Sequence, residues 1–340
     1  MKIKEIGWKK VVLLLVVLFL TFQIVGSFFF YNLAIKRGPK DFLTGNADLK
    51  VSAKTMDVFL NGDWLDWVDT QDFEEMDMTS RDGLELKGFY LPAKQSTDRL
   101  VILTHGYLGH AKQMGLYGQY YNEELGFDIF MPNARGHSKS GGEYYGFGWP
   151  DRLDLIDWTK QLTEKLGPET EVVYHGLSMG AATVLMASGE QLPEQVKAII
   201  ADSPYQSVYQ LFAYQMNRMF HLPAFPLLDT MSVLTKARAG YYLKEADALN
   251  AVKHATVPIL YIHGKADTFV PTDMTRELYE VTKSDAELYL VDDANHGEAF
   301  VIDEAGYKSN VYKFLTSHLS PLAISPILIL QSRGSDTPSE

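Results

Sequence analysis

"EVVYHGLSMGAATVL", residues 171–185, passes from a β-branched, apolar patch into a run of small residues, and Ser178 sits at the switch. Gly176 and Gly180 stand two positions to either side of it, so Gly176-Leu177-Ser178-Met179-Gly180 matches G-x-S-x-G. The five letters alone are a weak signal; their place between a strand and a helix is what gives them meaning. A serine on such a turn forms a nucleophile elbow, a strained bend that exposes the hydroxyl at the end of a sheet. Side chains at the −2 and +2 positions would collide with the following helix and the neighbouring strand, and glycine at both removes the collision. The helix that follows adds free N–H groups favouring negative charge beside the serine.

Working outward, the same rhythm recurs. "LELKGFYLP" (84–92) alternates as a strand on a sheet face does. "LVILTHG" (100–106), "FDIFMPNARG" (127–136), "VKAIIADSP" (196–204), "VPILYIHG" (257–264) and "ELYLVDDANHG" (287–297) are short apolar runs ending in turn residues. Runs of this kind read as strands buried on both faces. Between them lie amphipathic stretches such as "DRLDLIDWTKQLTEKLG" (151–167), halted at Gly167-Pro168. Strand and helix in alternation predict an α/β fold with a mostly parallel sheet and helices on both faces. Ligands then bind beyond the carboxyl ends of the strands. One interval breaks the pattern. Residues 205–250, rich in Tyr, Phe, Met and Leu, are too long for one crossover and read as a helical insertion covering the strand ends.

A serine hydroxyl needs a base to take its proton, and the base needs a third group to orient it. His296 follows the last strand run, and Asp267 lies in the turn after the run before it, in the chain order Ser, Asp, His expected of successive strand ends. Asp202, also after a strand, is the rival acid. Asp292 and Asp293 lie too near His296 along the chain to reach its far ring nitrogen. His105, His175 and His263 precede glycines at strand ends and read as structural braces. Asp292, Asp293, His296 and Glu298 lack the second histidine that a metal site would want, so no metal is read there. Oxyanion donors are expected from the backbone N–H groups of Tyr107, in the loop after "LVILTHG", and of Met179, which follows the nucleophile.

At the N-terminus, residues 11–35 contain no charge. At about 1.5 Å per residue this run exceeds the ~30 Å hydrocarbon core of a bilayer. A cleaved signal would have only ~7–15 apolar residues and then small ones, whereas "GSFFFYNLAIKRG" (26–38) is bulky. The run reads as an uncleaved transmembrane anchor. Lys2, Lys4, Lys9 and Lys10 precede it; Lys36, Arg37 and Lys40 follow. The bias places the N-terminus in the cytoplasm and the body outside, on a single-pass membrane protein. Residues 1–40 carry a net charge of +6, so residues 41–340 carry −18. An acidic body excludes nucleic acid as a partner, and basic residues flanking an apolar run suit anionic lipid headgroups. The chain has no cysteine, which removes disulfides, thiolate nucleophiles and Cys-based metal sites. Residues 36–71 read as a polar connector whose Trp64 and Trp67 either touch the membrane interface or pack on the body. Residues 72–320 form the main domain, and 321–340 a polar tail without a role.

Taken together, "HGYLG", "ARGHSKSGG", "GLSMG", "GKADTFVP" and "NHGEAF" resemble the α/β-hydrolase family over roughly residues 72–318. Within it the chain is similar to the membrane-anchored, esterase-like or acylaminoacyl-peptidase-like serine hydrolases of Gram-positive bacteria. The resemblance implies eight strands, a helical cap after the sixth and no cofactor. It carries the nucleophile onto Ser178, the acid onto Asp267, the base onto His296 and the oxyanion donors onto Tyr107 and Met179. The oxyanion loop departs from the His-Gly-Gly-Gly of many lipases, which argues against a lipase of bulky esters. The expected activity is hydrolysis of a small-molecule ester or amide. Phe212, Tyr214, Met216, Met219, Phe220, Phe225, Tyr241 and Tyr242 read either as an apolar acyl pocket or as the packing of cap on body. An acyltransferase or thioesterase with the same triad and a non-enzymatic binding protein are the alternatives.

Overall fold

The computed structural model describes residues 7–43 and 45–321. Eight strands form one sheet: β1 (Glu74–Thr79), β2 (Glu85–Leu91), β3 (Arg99–Thr104), β4 (Asp128–Pro132), β5 (Glu171–Leu177), β6 (Val196–Asp202), β7 (Ile259–Gly264) and β8 (Ala286–Val291). Their order is β1-β2-β4-β3-β5-β6-β7-β8. The pairs β1–β2 and β2–β4 are antiparallel, and every later pair is parallel. This is the α/β-hydrolase fold that the resemblance implied. Seven of the strands coincide with the runs read from sequence. The eighth, β1, escaped because Met76 is its one buried side chain: an edge strand carries no hydrophobic run to read.

Twelve helices surround the sheet: α1 (Trp8–Phe30), α2 (Ala53–Asn61), α3 (Asp63–Thr70), α4 (Gly115–Gln119), α5 (Asp151–Leu166), α6 (Met179–Ala187), α7 (Val208–Phe220), α8 (Leu227–Ala239), α9 (Ala248–Ala251), α10 (Thr272–Val281), α11 (Ala299–Ile302) and α12 (Glu304–His318), as counted among the described residues. Alternate residues of the central strands point to opposite faces, giving two cores. Ile102, Tyr174 and Ile199 join Phe130 and Trp158 on one face. Leu103, Val173 and Ile200 join Tyr117, Tyr121 and Phe314 on the other. α7 and α8 lie in the interval between β6 and β7.

The N-terminal helix continues through a π-helical turn, Tyr31–Ile35, and the 28-residue stretch Trp8–Ile35 is long and apolar enough to cross a membrane. Its far end belongs to the body. Ile35 is fully buried, and its carbonyl accepts from the Tyr145 N–H at 2.8 Å. The Arg37 guanidinium donates to the carbonyls of Ser138, Ser140 and Gly142 at 2.6–3.2 Å. The Lys40 ammonium closes the helix by donating to the carbonyls of Asn32 and Lys36. Gln23, Gly26, Ser27 and Phe30 share one helix face, the spacing that lets a second helix approach, and that helix is α8. A Cβ on Gly26 would lie 2.8 Å from Leu227 Cδ1.

In the segment 36–71, read from sequence as a polar connector, α2 and α3 take up 53–61 and 63–70, with 3-10 turns at 41–43 and 47–49. Trp64 and Trp67, on α3, are buried in the second core rather than at a membrane interface. Asp48 accepts from the Thr268 hydroxyl at 3.1 Å, and the Asn295 amide donates to the carbonyls of Asp48 and Lys50. The segment thus holds the loops that follow β7 and β8. Lys2, Lys4 and Glu5, and the tail beyond Pro321, lie outside the described residues.

Candidate active site

Ser178 caps α6 with φ 55° and ψ −112°, a conformation that costs a side-chain-bearing residue of order 1–3 kcal/mol. The flanking glycines explain how it is held. A Cβ on Gly176 would sit 2.3 Å from the Gly180 carbonyl atoms, and one on Gly180 would sit 2.0 Å from the Thr104 oxygen. The first contact is with the helix and the second with the end of β3, so both glycines serve the close approach that the bend needs. The Ser178 N–H donates to the Asp202 carbonyl at 2.8 Å, tying the bend to β6.

The loops after β7 and β8 meet over this bend. His296 Nε2 lies 2.8 Å from Ser178 Oγ, and its Nδ1 lies 2.7 Å from Asp267 Oδ2. Asp267 is saturated with donors. Its Oδ1 accepts the N–H groups of Phe269 and Val270 at 2.9 and 2.8 Å, and its Oδ2 also faces His263 Nε2 at 2.9 Å. His263 Nε2 must carry a proton, because it also meets the Val270 carbonyl at 3.0 Å. Burial alone would raise the Asp267 pKa; the charge of His296 and the hydrogen bonds from His263 and His296 outweigh it and hold the carboxyl well below its usual range. Burial alone would lower the His296 pKa, and the Asp267 carboxylate overrides it and raises it.

The rival acid is occupied elsewhere. Asp202 Oδ2 accepts from the hydroxyls of Tyr307 and Tyr117 at 3.0 and 3.3 Å, and its Oδ1 from Ser203 at 2.9 Å. Of the histidines read as braces, His105 and His263 hold loops. His175 instead lies in the core between the Tyr121 and Tyr307 hydroxyls.

Tyr107 and Met179 flank the serine. A Cβ on Gly106 would lie 3.4 Å from Ser178 Cβ, so the loop after β3 passes directly over the nucleophile. Neither the Tyr107 N–H nor the Met179 N–H donates to a protein acceptor among the described residues. Two uncharged histidines pin the loop. His105 Nδ1 donates to the Gly106 carbonyl and its Nε2 accepts the Ala134 N–H. His137 Nε2 accepts the Leu108 N–H at 3.3 Å. Burial pushes His105 down to about 3 and His137 down to about 4, so neither competes with His296 for a proton near neutral pH.

Above Ser178 opens a pocket whose atom-free space is about 760 Å³, open solvent at its mouth included. Phe212, Met216, Met219 and Phe220 of α7 line it, with Leu228 and Met231 of α8. Of the other cap residues expected there, Tyr214 donates to the Thr268 carbonyl, Tyr241 is buried beneath, and Phe225 and Tyr242 are exposed. Phe30, Leu33, Ala34 and Leu43 also line it, a contribution that sequence reasoning missed. Among the described residues no charged side chain lines it, and the hydroxyls of Tyr107 and Tyr205 are engaged by the carbonyls of Ala34 and Phe147.

Residues 115–321 match the family model described as the prolyl oligopeptidase family. YqkD of Bacillus subtilis (strain 168) is 29% identical over 254 residues, 72% of this chain and 81% of its own length. The lysophosphatidylserine lipase ABHD12 of Danio rerio is 25% identical over 209 residues, 59% of this chain and 51% of that protein. Among solved structures, the esterase Pf2001 of Pyrococcus furiosus superposes with a TM-score of 0.61 at 24% identity, covering 75% of this chain and 96% of that one. An acylaminoacyl peptidase of Pyrococcus horikoshii gives 0.57 at 18% identity, covering 78% and 45%. Likenesses of this degree attest the fold.

Proposed function

The chain belongs to the prolyl oligopeptidase family, and from that premise we propose that it is a serine hydrolase cleaving carboxylic esters of apolar acyl groups through an acyl-Ser178 intermediate. His296 takes the Ser178 proton as the hydroxyl oxygen attacks the ester carbonyl. The negative charge on the carbonyl oxygen is met by the N–H groups of Tyr107 and Met179, aided by the N-terminus of α6. Asp267 keeps His296 in the tautomer whose Nε2 is free to accept, and stabilises the imidazolium. That imidazolium then protonates the departing alkoxide. Water, deprotonated by His296, releases the acid.

One observation carries the reading: the Ser178–His296–Asp267 chain, with contacts of 2.8 and 2.7 Å, lies at an apolar pocket. A pocket without a charged wall favours an acyl chain over a peptide terminus. Phe30, Tyr31 and Ile35 belong to the body's core, which supports a retained helix over a cleaved signal. In this reading α1 anchors the enzyme in the membrane, with the hydrolase domain outside the cytoplasm. The test is labelling of the full chain in detergent micelles by a fluorophosphonate. Wild type is expected to label and to hydrolyse nitrophenyl esters, and Ser178→Ala to do neither; a wild type that does neither overturns the proposal.

A further inference from the structure

We propose that the far end of the N-terminal helix is part of the substrate-binding site, and that the substrate is a single-chain fatty-acyl ester whose chain passes from the bilayer into the pocket along that helix. This rests on the hydrolase reading above and adds to it the source and class of the substrate.

Two features of the helix lead there. Trp8 to Phe22 are all exposed, and these fifteen residues span only about 22 Å, short of the ~30 Å hydrocarbon core. The remaining thickness has to come from Gln23–Phe30, whose inner face is already taken by α8. Gln23 Oε1 accepts from the Thr230 hydroxyl at 3.4 Å, and Gly26 abuts Leu227. Seating the helix to full depth therefore brings the flank of α8 to the membrane. Phe225, two residues before α8, and Val233, on it, are large apolar side chains at 74% and 61% exposure. Among soluble surfaces such side chains are ordinary, but beside a membrane-crossing helix they suit the interface.

The second feature is that the pocket lies against the far end of the helix, which is embedded in the body. Phe30 is on its last turn, and Leu33 and Ala34 on the π-turn that follows; all three line the pocket with Ser178. An acyl chain following the helix from the bilayer would enter a lining that is apolar apart from Gln215, the serine and the tyrosine hydroxyls. One pocket admits one chain. In the reaction the ester C–O bond breaks as the Ser178 Oγ–acyl bond forms. The Ser178 proton leaves with the alcohol through His296, and water completes release of the fatty acid.

The experiment uses the full chain in phosphatidylcholine vesicles and compares kcat/KM for lauroyl and acetyl nitrophenyl esters. Leu33→Trp is expected to lower the lauroyl-to-acetyl ratio by about tenfold or more, equivalent to losing fewer than two buried methylenes. Val16→Phe, on the lipid-facing half of the helix, leaves the ratio unchanged. Should Leu33→Trp fail to fold, Leu33→Ala is read instead, and the preference shifts to chains longer than lauroyl. As an independent readout, a dodecyl fluorophosphonate bearing a terminal diazirine is allowed to react with Ser178 and is then illuminated. Crosslinks are expected within residues 30–34. A ratio that none of these variants moves, or crosslinks confined to other segments, overturns the proposal while leaving the hydrolase intact. Absence of labelling at Ser178 would instead remove the hydrolase reading itself.

Discussion

Replacing Asp267 by Asn tests the electrostatic logic of the site, and the structure dictates how the amide must sit. Oδ1 of Asp267 accepts two backbone N–H groups, from Phe269 and Val270. In Asp267→Asn only the carbonyl oxygen can take that place, so the NH2 is forced into the position of Oδ2. There it faces His296 Nδ1 and the protonated Nε2 of His263. His296 can satisfy it only by becoming an acceptor at Nδ1, which moves its own proton to Nε2, the atom facing Ser178 Oγ. The base is then blocked by the wrong tautomer. Triads disabled in this way lose about 10⁴-fold in turnover, or about 5.4 kcal/mol of transition-state stabilisation. The assay is kcat/KM on a short nitrophenyl ester with the full chain in micelles, run beside the rate of fluorophosphonate labelling, with folding checked by thermal melting. A folded variant retaining activity within about tenfold of wild type would show that Asp267 does not orient His296.

Two further predictions concern protons and packing. Asp267 raises the His296 pKa, and the base must be neutral to act, so kcat/KM should fall as pH drops through a value above the ordinary imidazole ~6.5. In Asp267→Asn the larger raising influence is gone and only that of Asp202 remains, while burial still lowers the pKa, so the residual activity should show its acid limb at lower pH; a limb that stays in place contradicts the assignment. Gly180→Ala puts a Cβ 2.0 Å from the backbone oxygen of Thr104. It should cost at least the ~1–3 kcal/mol of ordinary overpacking and slow labelling by displacing the Met179 N–H, and an unchanged melting temperature would refute the packing account.

The sheet was readable because buried parallel strands are continuous apolar runs with turn residues at their carboxyl ends, where the chemistry collects. Ser178, Asp267 and His296, which the structure brings together, each stood in such a turn. Less was readable where a residue's role depends on its neighbour across the fold. His263 lies four residues before Asp267, yet only the folded loop turns its ring onto that carboxylate. The segment 36–71 is polar in composition, but Trp64 and Trp67 are enough to seat α3 in the core. The apolar run 11–35 carries no mark of the point where it passes from exposed to packed against the body. Hydropathy scores Leu14 and Leu33 alike, and only the contact with α8 and the body separates them.

The clamp formed by Ile35, Arg37 and Lys40 has a geometric consequence. Seated in a bilayer as proposed, a helix with no slack against the body would work as a depth gauge: Ser178 would be held at one height above the acyl region, unable to swing toward ester groups at other levels. Which of several ester linkages in an amphiphile is cut would then be decided by how far each lies from the chain terminus, before any recognition of the headgroup.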